Sequence, residues 1–215
     1  MNINELSQFA ELAGTVAFAA TAVLAMAPLR VDLFTALVMG LMTAIGGGTV
    51  RDLILRQPVS WAHDLSYIWV SLLASTITFV AYRLISRRGI LSVLLYLDAV
   101  GIALFAVQGT AKAWMLGFGL PLAPIILGII TAIGGGLIRD VLAGRNNLLM
   151  NREIYAIPVS LGCVLYAVLM STTSIQLNMV SWICMGLIFC FRASAIHWQL
   201  KVPDWFRMPE VPSSD

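Results

Sequence analysis

Apolar residues fill most of the chain in long runs, and the polar residues that interrupt those runs recur at a fixed spacing. A bilayer is crossed by about 20 apolar residues in a helix. Seven stretches qualify, roughly 9–28, 32–54, 66–86, 90–109, 121–142, 153–171 and 177–196. The connections between them are short. Residues 1–215 are therefore expected to form one transmembrane domain, with a loose tail over 200–215 that holds Pro203, Pro209 and Pro212. The second stretch contains Thr43-Ala44-Ile45-Gly46-Gly47-Gly48-Thr49-Val50-Arg51-Asp52. The fifth contains Thr131-Ala132-Ile133-Gly134-Gly135-Gly136-Leu137-Ile138-Arg139-Asp140, 88 residues later.

The likeness extends beyond this motif. Glu11, Gly14 and Phe18 match Asp98, Gly101 and Phe105 at an offset of 87, and Gly40 and Tyr67 match Gly128 and Tyr155 at 88. The expected fold is all-α and integral to the membrane, with seven spans in a 3+3 repeat. The first copy covers about 9–86 and the second about 90–171, and one extra helix follows over about 177–196. Three is odd, so the second copy enters from the opposite face. Inverted repeats of this kind place a solute site near the midplane, where interrupted helices meet.

Composition agrees with a membrane protein. The chain is 60% hydrophobic and 11% charged, against about 25% charged in soluble domains, and its mean hydropathy is +0.90. The net charge of +2 is unclustered, which argues against nucleic acid. Cys163, Cys184 and Cys190 sit in apolar runs without metal-ligand spacing, so they read as small buried hydrophobes, and neither metal nor cofactor is expected. Residues 1–8 lack the basic segment of a removable signal, so the first run should stay as a spanning helix. With the N-terminus outside, the inner segments hold Arg30, Arg83, Arg87, Arg88, Arg139, Arg145, Arg152, Arg192, Lys201 and Arg207. The outer ones hold only Arg51, Arg56 and Lys112. The positive-inside rule thus favours N-out, C-in.

Each glycine inside a helix costs about 1 kcal/mol against alanine, so a doubled triplet needs a reason. The expected reason is a break in spans two and five, with freed carbonyls lining a pathway. Another is close helix packing through small residues, helped by Gly40-xxx-Ala44 and Gly128-xxx-Ala132. The candidate pathway residues are Thr43, Gly46, Gly47, Gly48, Thr49, Arg51, Asp52, Thr131, Gly134, Gly135, Gly136, Arg139 and Asp140. Neighbours on a helix point about 100° apart, so Arg51 is expected to pair across the repeat with Asp140. Glu11 and Asp98 are equivalent acids that could couple transport or anchor the repeats, and Gln108 and Lys112 fall near a pathway mouth. No Ser-His-Asp set, metal cluster or nucleotide loop is evident, so an enzyme is not expected.

The doubled A-x-GGG-x-x-RD motif, the Gly-x-x-x-Phe of spans one and four and the Arg-Glu-Ile-Tyr-Ala at 152–156 resemble a bacterial membrane family. It is labelled a glycine-transporter domain and is related to the trimeric intracellular cation (TRIC) channels. The resemblance implies a homotrimer in the bacterial inner membrane, an hourglass pore in each protomer lined by the second and fifth helices, and conduction of monovalent cations, mainly K⁺. Animal members carry a lysine-containing motif that engages acidic lipid, whereas this chain keeps the bacterial form. The expectation is a K⁺-permeable channel without cofactor, surrounded by membrane lipid. The alternative is a secondary transporter of a small amino acid such as glycine, with Glu11 or Asp98 coupled to a cation or proton.

Overall fold

Asp32 shows how the hydrophobic runs are punctuated. Its carboxylate accepts from the Thr35 backbone N–H at 2.8 Å and so caps the helix that follows. In the computed structural model, which describes residues 3–84, 87–145, 147–150 and 154–201, that helix is the second of eight. They are α1 (Ile3–Met26), α2 (Leu33–Ile54), the short α3 (Ser60–His63), α4 (Ser66–Ala81), α5 (Arg87–Met115), α6 (Leu122–Leu142), α7 (Ala156–Thr172) and α8 (Leu177–His197). Among the described residues α1, α2, α5, α6 and α8 are long and apolar enough to cross a membrane. The apolar α4 and α7 are shorter, at 16 and 17 residues. The protein is an integral membrane protein. The fourth stretch runs longer than its hydropathy suggests, from Arg87 to Met115, and α3 has no apolar run to announce it. The tail beyond Lys201, and Arg152 and Glu153 of the 152–156 motif, lie outside the described residues.

The expected breaks in α2 and α6 do not occur. Both helices run uninterrupted through residues 46–48 and 134–136. Magnitudes explain why. An unpaired backbone group in hydrocarbon costs several kcal/mol, whereas a glycine kept helical forfeits about 1 kcal/mol. The wound helix is the cheaper state, and the glycines serve packing instead.

Two equivalent helix ends share one C-cap. After α2, Gln57 N–H donates to the Asp52 carbonyl at 2.9 Å and Arg56 N–H to Leu53 at 3.1 Å. After α6, Arg145 N–H donates to Asp140 at 2.9 Å and Gly144 N–H to Val141 at 3.1 Å. Both are Schellman closures, which need a left-handed residue. Gly144 adopts φ 60° without strain, while Arg56 is held at φ 54°. Arg56→Gly is therefore expected to stabilise the fold by about 1 kcal/mol, read as a higher midpoint of thermal unfolding in detergent.

The core forms where α1 meets α5. Phe18 and Phe105 pack with ring centroids 5.2 Å apart. Each ring also occupies the space over a glycine of the other helix, Phe18 over Gly101 and Phe105 over Gly14. Around this lock α1 packs on α2 and α4, α5 packs on α6 and α7, α2 lies against α6, and α8 covers α5 and α7. Phe34, Trp69, Val80, Leu122 and Val141 are exposed on the outside, where lipid solvates apolar side chains.

Candidate functional site

The glycine triplets sit at the contact between α2 and α6. A Cβ on Gly47 would fall on the Thr131 carbonyl oxygen and lie 3.3 Å from Gly135 N. One on Gly135 would lie 2.7 Å from the Thr43 carbonyl oxygen. The contact is main chain against main chain, and only glycine permits that approach. Thr43 faces Gly135 while Gly47 faces Thr131, so the two helices cross antiparallel. The Arg-Asp pair that follows each triplet therefore leaves the crossing in the opposite direction.

Each pair ends in a buried charge cluster. In the first, Arg51 Nη1 donates to Glu11 Oε1 at 2.8 Å, Nε to Asp52 Oδ1 at 2.8 Å and Nη2 to Ser60 Oγ at 3.2 Å. Tyr67 Oη donates to Glu11 Oε2 at 2.6 Å. Asp52 Oδ2 accepts from the Ser60 backbone N–H at 2.9 Å and from its hydroxyl at 2.8 Å, and Lys112 Nζ reaches Asp52 Oδ1 at 2.8 Å. In the second cluster Arg139 Nη1 donates to Asp98 Oδ1 at 2.7 Å and to Thr21 Oγ1 at 3.0 Å, and Nε donates to Asp140 Oδ1 at 2.8 Å. Asp140 Oδ2 accepts from the Leu148 backbone N–H at 3.0 Å. Asp98 Oδ2 and Arg139 Nη2 find no hydrogen-bond partner among the described residues. Arg192 packs over the Tyr155 ring, its Cζ 5.1 Å from the centroid. Beside the first cluster lies a cavity of about 20 Å³, lined among others by Glu11, Gly48, Arg51, Ser60, Trp61 and Tyr67. That is room for a single water.

Comparison with known proteins places this geometry. A family model described as Glycine transporter matches twice, over residues 8–83 and 95–171. The inner membrane protein YadS of Escherichia coli is 40% identical over 194 residues, 90% of this chain and 93% of its own. The membrane protein YvgT of Bacillus subtilis is 37% identical over 155 residues, 69% of this chain and 73% of its own. The TRIC trimeric intracellular cation channel orthologue of Rhodobacter sphaeroides superposes with TM-score 0.84 at 32% identity, over 90% of this chain and 98% of that one. The chain belongs to the prokaryotic TRIC family. A second solved structure, from work on conductance through TRIC cation channels, aligns with TM-score 0.80 at 29% identity over 95% of this chain and 98% of that one.

In this TRIC-family chain the fold gathers the expected site residues into three groups: the glycine crossing, the Glu11–Arg51–Asp52–Lys112 cluster and the Asp98–Arg139–Asp140 cluster. The cross-repeat pair of Arg51 with Asp140 does not form. Each Arg bonds its own neighbour instead, because its Nε reaches around the helix and the antiparallel crossing carries the two pairs apart. The threonine hydroxyls are largely engaged by their own helices, Thr131 with the Leu127 carbonyl at 2.5 Å and Thr49 with Ile45 at 2.8 Å. Thr43 Oγ1 is buried without a hydrogen-bond partner among the described residues. Gln108 accepts from Ser7 Oγ at 2.8 Å. Gly48 opens over the Arg51 guanidinium, Gly136 faces the Tyr155 hydroxyl, which a Cβ there would meet at 3.0 Å, and Gly46 lies under Ile138. Sequence reasoning missed Ser60 and Thr21. It noted the matched register of Tyr67 and Tyr155 but not their place beside Glu11 and Arg192.

Proposed function

We propose that the chain is a passive, K⁺-permeable channel of the inner membrane, assembled as a homotrimer with one pathway in each protomer. Seven helices span the membrane, with α1, α2 and α4 repeated in inverted orientation as α5, α6 and α7, and α8 added. The N-terminus lies outside and the C-terminus in the cytoplasm. The pathway follows the seam between α2 and α6, with one Arg-Asp cluster toward each end.

The observation that carries this reading is the doubled cluster itself. Four carboxylates, Glu11, Asp52, Asp98 and Asp140, face three cations, Arg51, Arg139 and Lys112, inside an apolar fold. Ionisable groups at membrane depth are expensive and mark ion pathways. The likeness to solved TRIC cation channels over nearly their whole length supports the same reading. The main-chain contact between Gly47 and Thr131 closes the seam at its middle, so conduction requires α2 and α6 to part there.

Single-channel recording of purified protein under asymmetric KCl tests the proposal. Unitary currents that reverse near the K⁺ equilibrium potential are expected, and reversal near the Cl⁻ potential, or silence, rejects it. The family model's description raises the rival of an amino-acid carrier. Saturable counterflow of labelled glycine in proteoliposomes would favour that rival.

A further inference from the structure

α8 has no counterpart among the six repeated stretches, and it reshapes the surface it covers. The first copy shows lipid a bare helix, with Trp69, Leu73 and Ile77 exposed along one face of α4. In the second copy α8 packs along α7, and the two enclose a groove of about 460 Å³. Leu161 and Leu165 form one wall, and Leu187, Cys190, Phe191 and Trp198 form the other. Leu161, Leu187 and Phe191 remain exposed, so the groove opens sideways to the bilayer. It is bounded at both ends. At one end Gly162 lets Ile188 close on α7, since a Cβ on that glycine would collide with the Ile188 side chain. At the other the chain turns back after α8, and Ile154 N–H donates to the Leu200 carbonyl at 3.4 Å.

From Leu187 to Trp198 the groove runs about 16 Å at the helical rise of about 1.5 Å per residue. That is close to half of a hydrocarbon core about 30 Å thick, so the groove is one leaflet deep. About 460 Å³ over about 16 Å leaves a channel about 6 Å across. A helix with its side chains needs about 10 Å, so a helix of a second copy cannot seat there, whereas one hydrocarbon chain can. Apolar walls keep water out. The end beyond α8 carries groups suited to a headgroup. Trp198 is exposed at the rim, as aromatic residues are at a membrane interface. Lys201 stands exposed one residue past Leu200, which lines the groove, and a lysine at that level attracts anionic lipid. We propose that the α7–α8 groove holds one acyl chain of an anionic phospholipid from the leaflet at the C-terminal end of α8, with Trp198 and Lys201 at its headgroup. The inference is independent of what the seam between α2 and α6 conducts. Occupancy braces α8 against the start of α7, where Arg192 Nη1 donates to the Ile154 carbonyl at 3.0 Å.

The full-length protein tests this in phosphatidylcholine proteoliposomes doped with a lipid that bears a photoreactive diazirine on one acyl chain. The probe carries either a phosphatidylglycerol or a phosphatidylcholine headgroup, and adducts are mapped by peptide mass spectrometry. Adducts are expected at Leu161, Cys190 and Phe191. The phosphatidylglycerol probe should label them about 5-fold more than the phosphatidylcholine probe, the effect of one lysine at an anionic headgroup. Lys201→Gln should abolish that preference. Ser194→Phe, which fills the groove from α8, should remove groove adducts with either probe. Adducts at Trp69 and Leu73 of α4 report ordinary lipid contact and serve as the internal reference in every variant. Groove labelling no stronger than that of α4 overturns the proposal, as does a headgroup preference that survives Lys201→Gln or labelling that survives Ser194→Phe. Absence of groove adducts in the wild type also overturns it, and is the result expected if a second copy or the chain beyond Lys201 covers this face. Should Ser194→Phe not fold, Ser194→Leu is read by the same criteria.

Discussion

Arg139→Met is expected to lower stability by about 3–5 kcal/mol, the cost of leaving a buried charge without its partner. Methionine keeps most of the length and apolar volume of the arginine stem, so the change isolates the charge. Asp98 and Asp140 both lose a bond of 2.8 Å or less to the guanidinium, and among the described residues no lysine pairs with either of them. Arg51→Met is expected to cost less, about 1–3 kcal/mol, as for buried groups that keep part of their hydrogen bonding. Lys112 remains on Asp52, Tyr67 remains on Glu11, and Ser60 still donates twice to Asp52. Unfolding midpoints in detergent should rank wild type above Arg51→Met and Arg51→Met above Arg139→Met. Adding Asp98→Asn to Arg139→Met should recover part of the loss, because the unbalanced charge dominates. A reversed order, or no recovery, would mean that the second cluster is neutralised by something other than Arg139.

The helices were legible from hydropathy because burial in lipid leaves long apolar runs, and α2, α6 and α8 begin and end within a residue or so of the stretches that announce them. The clusters were legible only as a list of acids and bases. Their wiring depends on features that leave no trace in residue type. Ser60 and Leu148 stand at equivalent positions, 88 apart, and share no side-chain chemistry. Both nonetheless donate a backbone N–H to the carboxylate of their Arg-Asp pair. The 100° splay between helical neighbours suggested that Arg51 would look elsewhere, yet a side chain as long as arginine closes that angle and still spans to Glu11. The reciprocal seating of Phe18 over Gly101 and Phe105 over Gly14 was visible as a repeated Gly-x-x-x-Phe, although its meaning emerged only when α1 and α5 were seen to cross. The triplets misled in the opposite way. Propensity pointed to a break, whereas packing decides, because the missing side chains bring two main chains together.

A methyl group at Gly47 is expected to do far more harm than one at Gly48, although the two are adjacent in one helix. Alanine gains about 1 kcal/mol of helix propensity at either site. At Gly48 the nearest atom to the new carbon would be Arg51 Nη2 at 3.8 Å, an ordinary contact with a side chain, so Gly48→Ala should be neutral or stabilising by up to about 1 kcal/mol. At Gly47 the new carbon falls on the Thr131 carbonyl, which belongs to the main chain of α6 and cannot swing aside. The helices must separate, and overpacking of this kind costs about 1–3 kcal/mol or more. Gly135→Ala meets the Thr43 carbonyl and should behave like Gly47→Ala, while Gly134→Ala, 3.5 Å from Gly47 Cα, should be tolerated. The same wedge acts on function if the closed seam is what stops the current. A methyl that holds α2 and α6 apart should raise K⁺ leak through the folded fraction of Gly47→Ala while lowering its melting temperature. Equal stability of Gly47→Ala and Gly48→Ala would mean that the two helices do not meet at their glycines in the membrane, and the gate assigned to that contact would have to be abandoned.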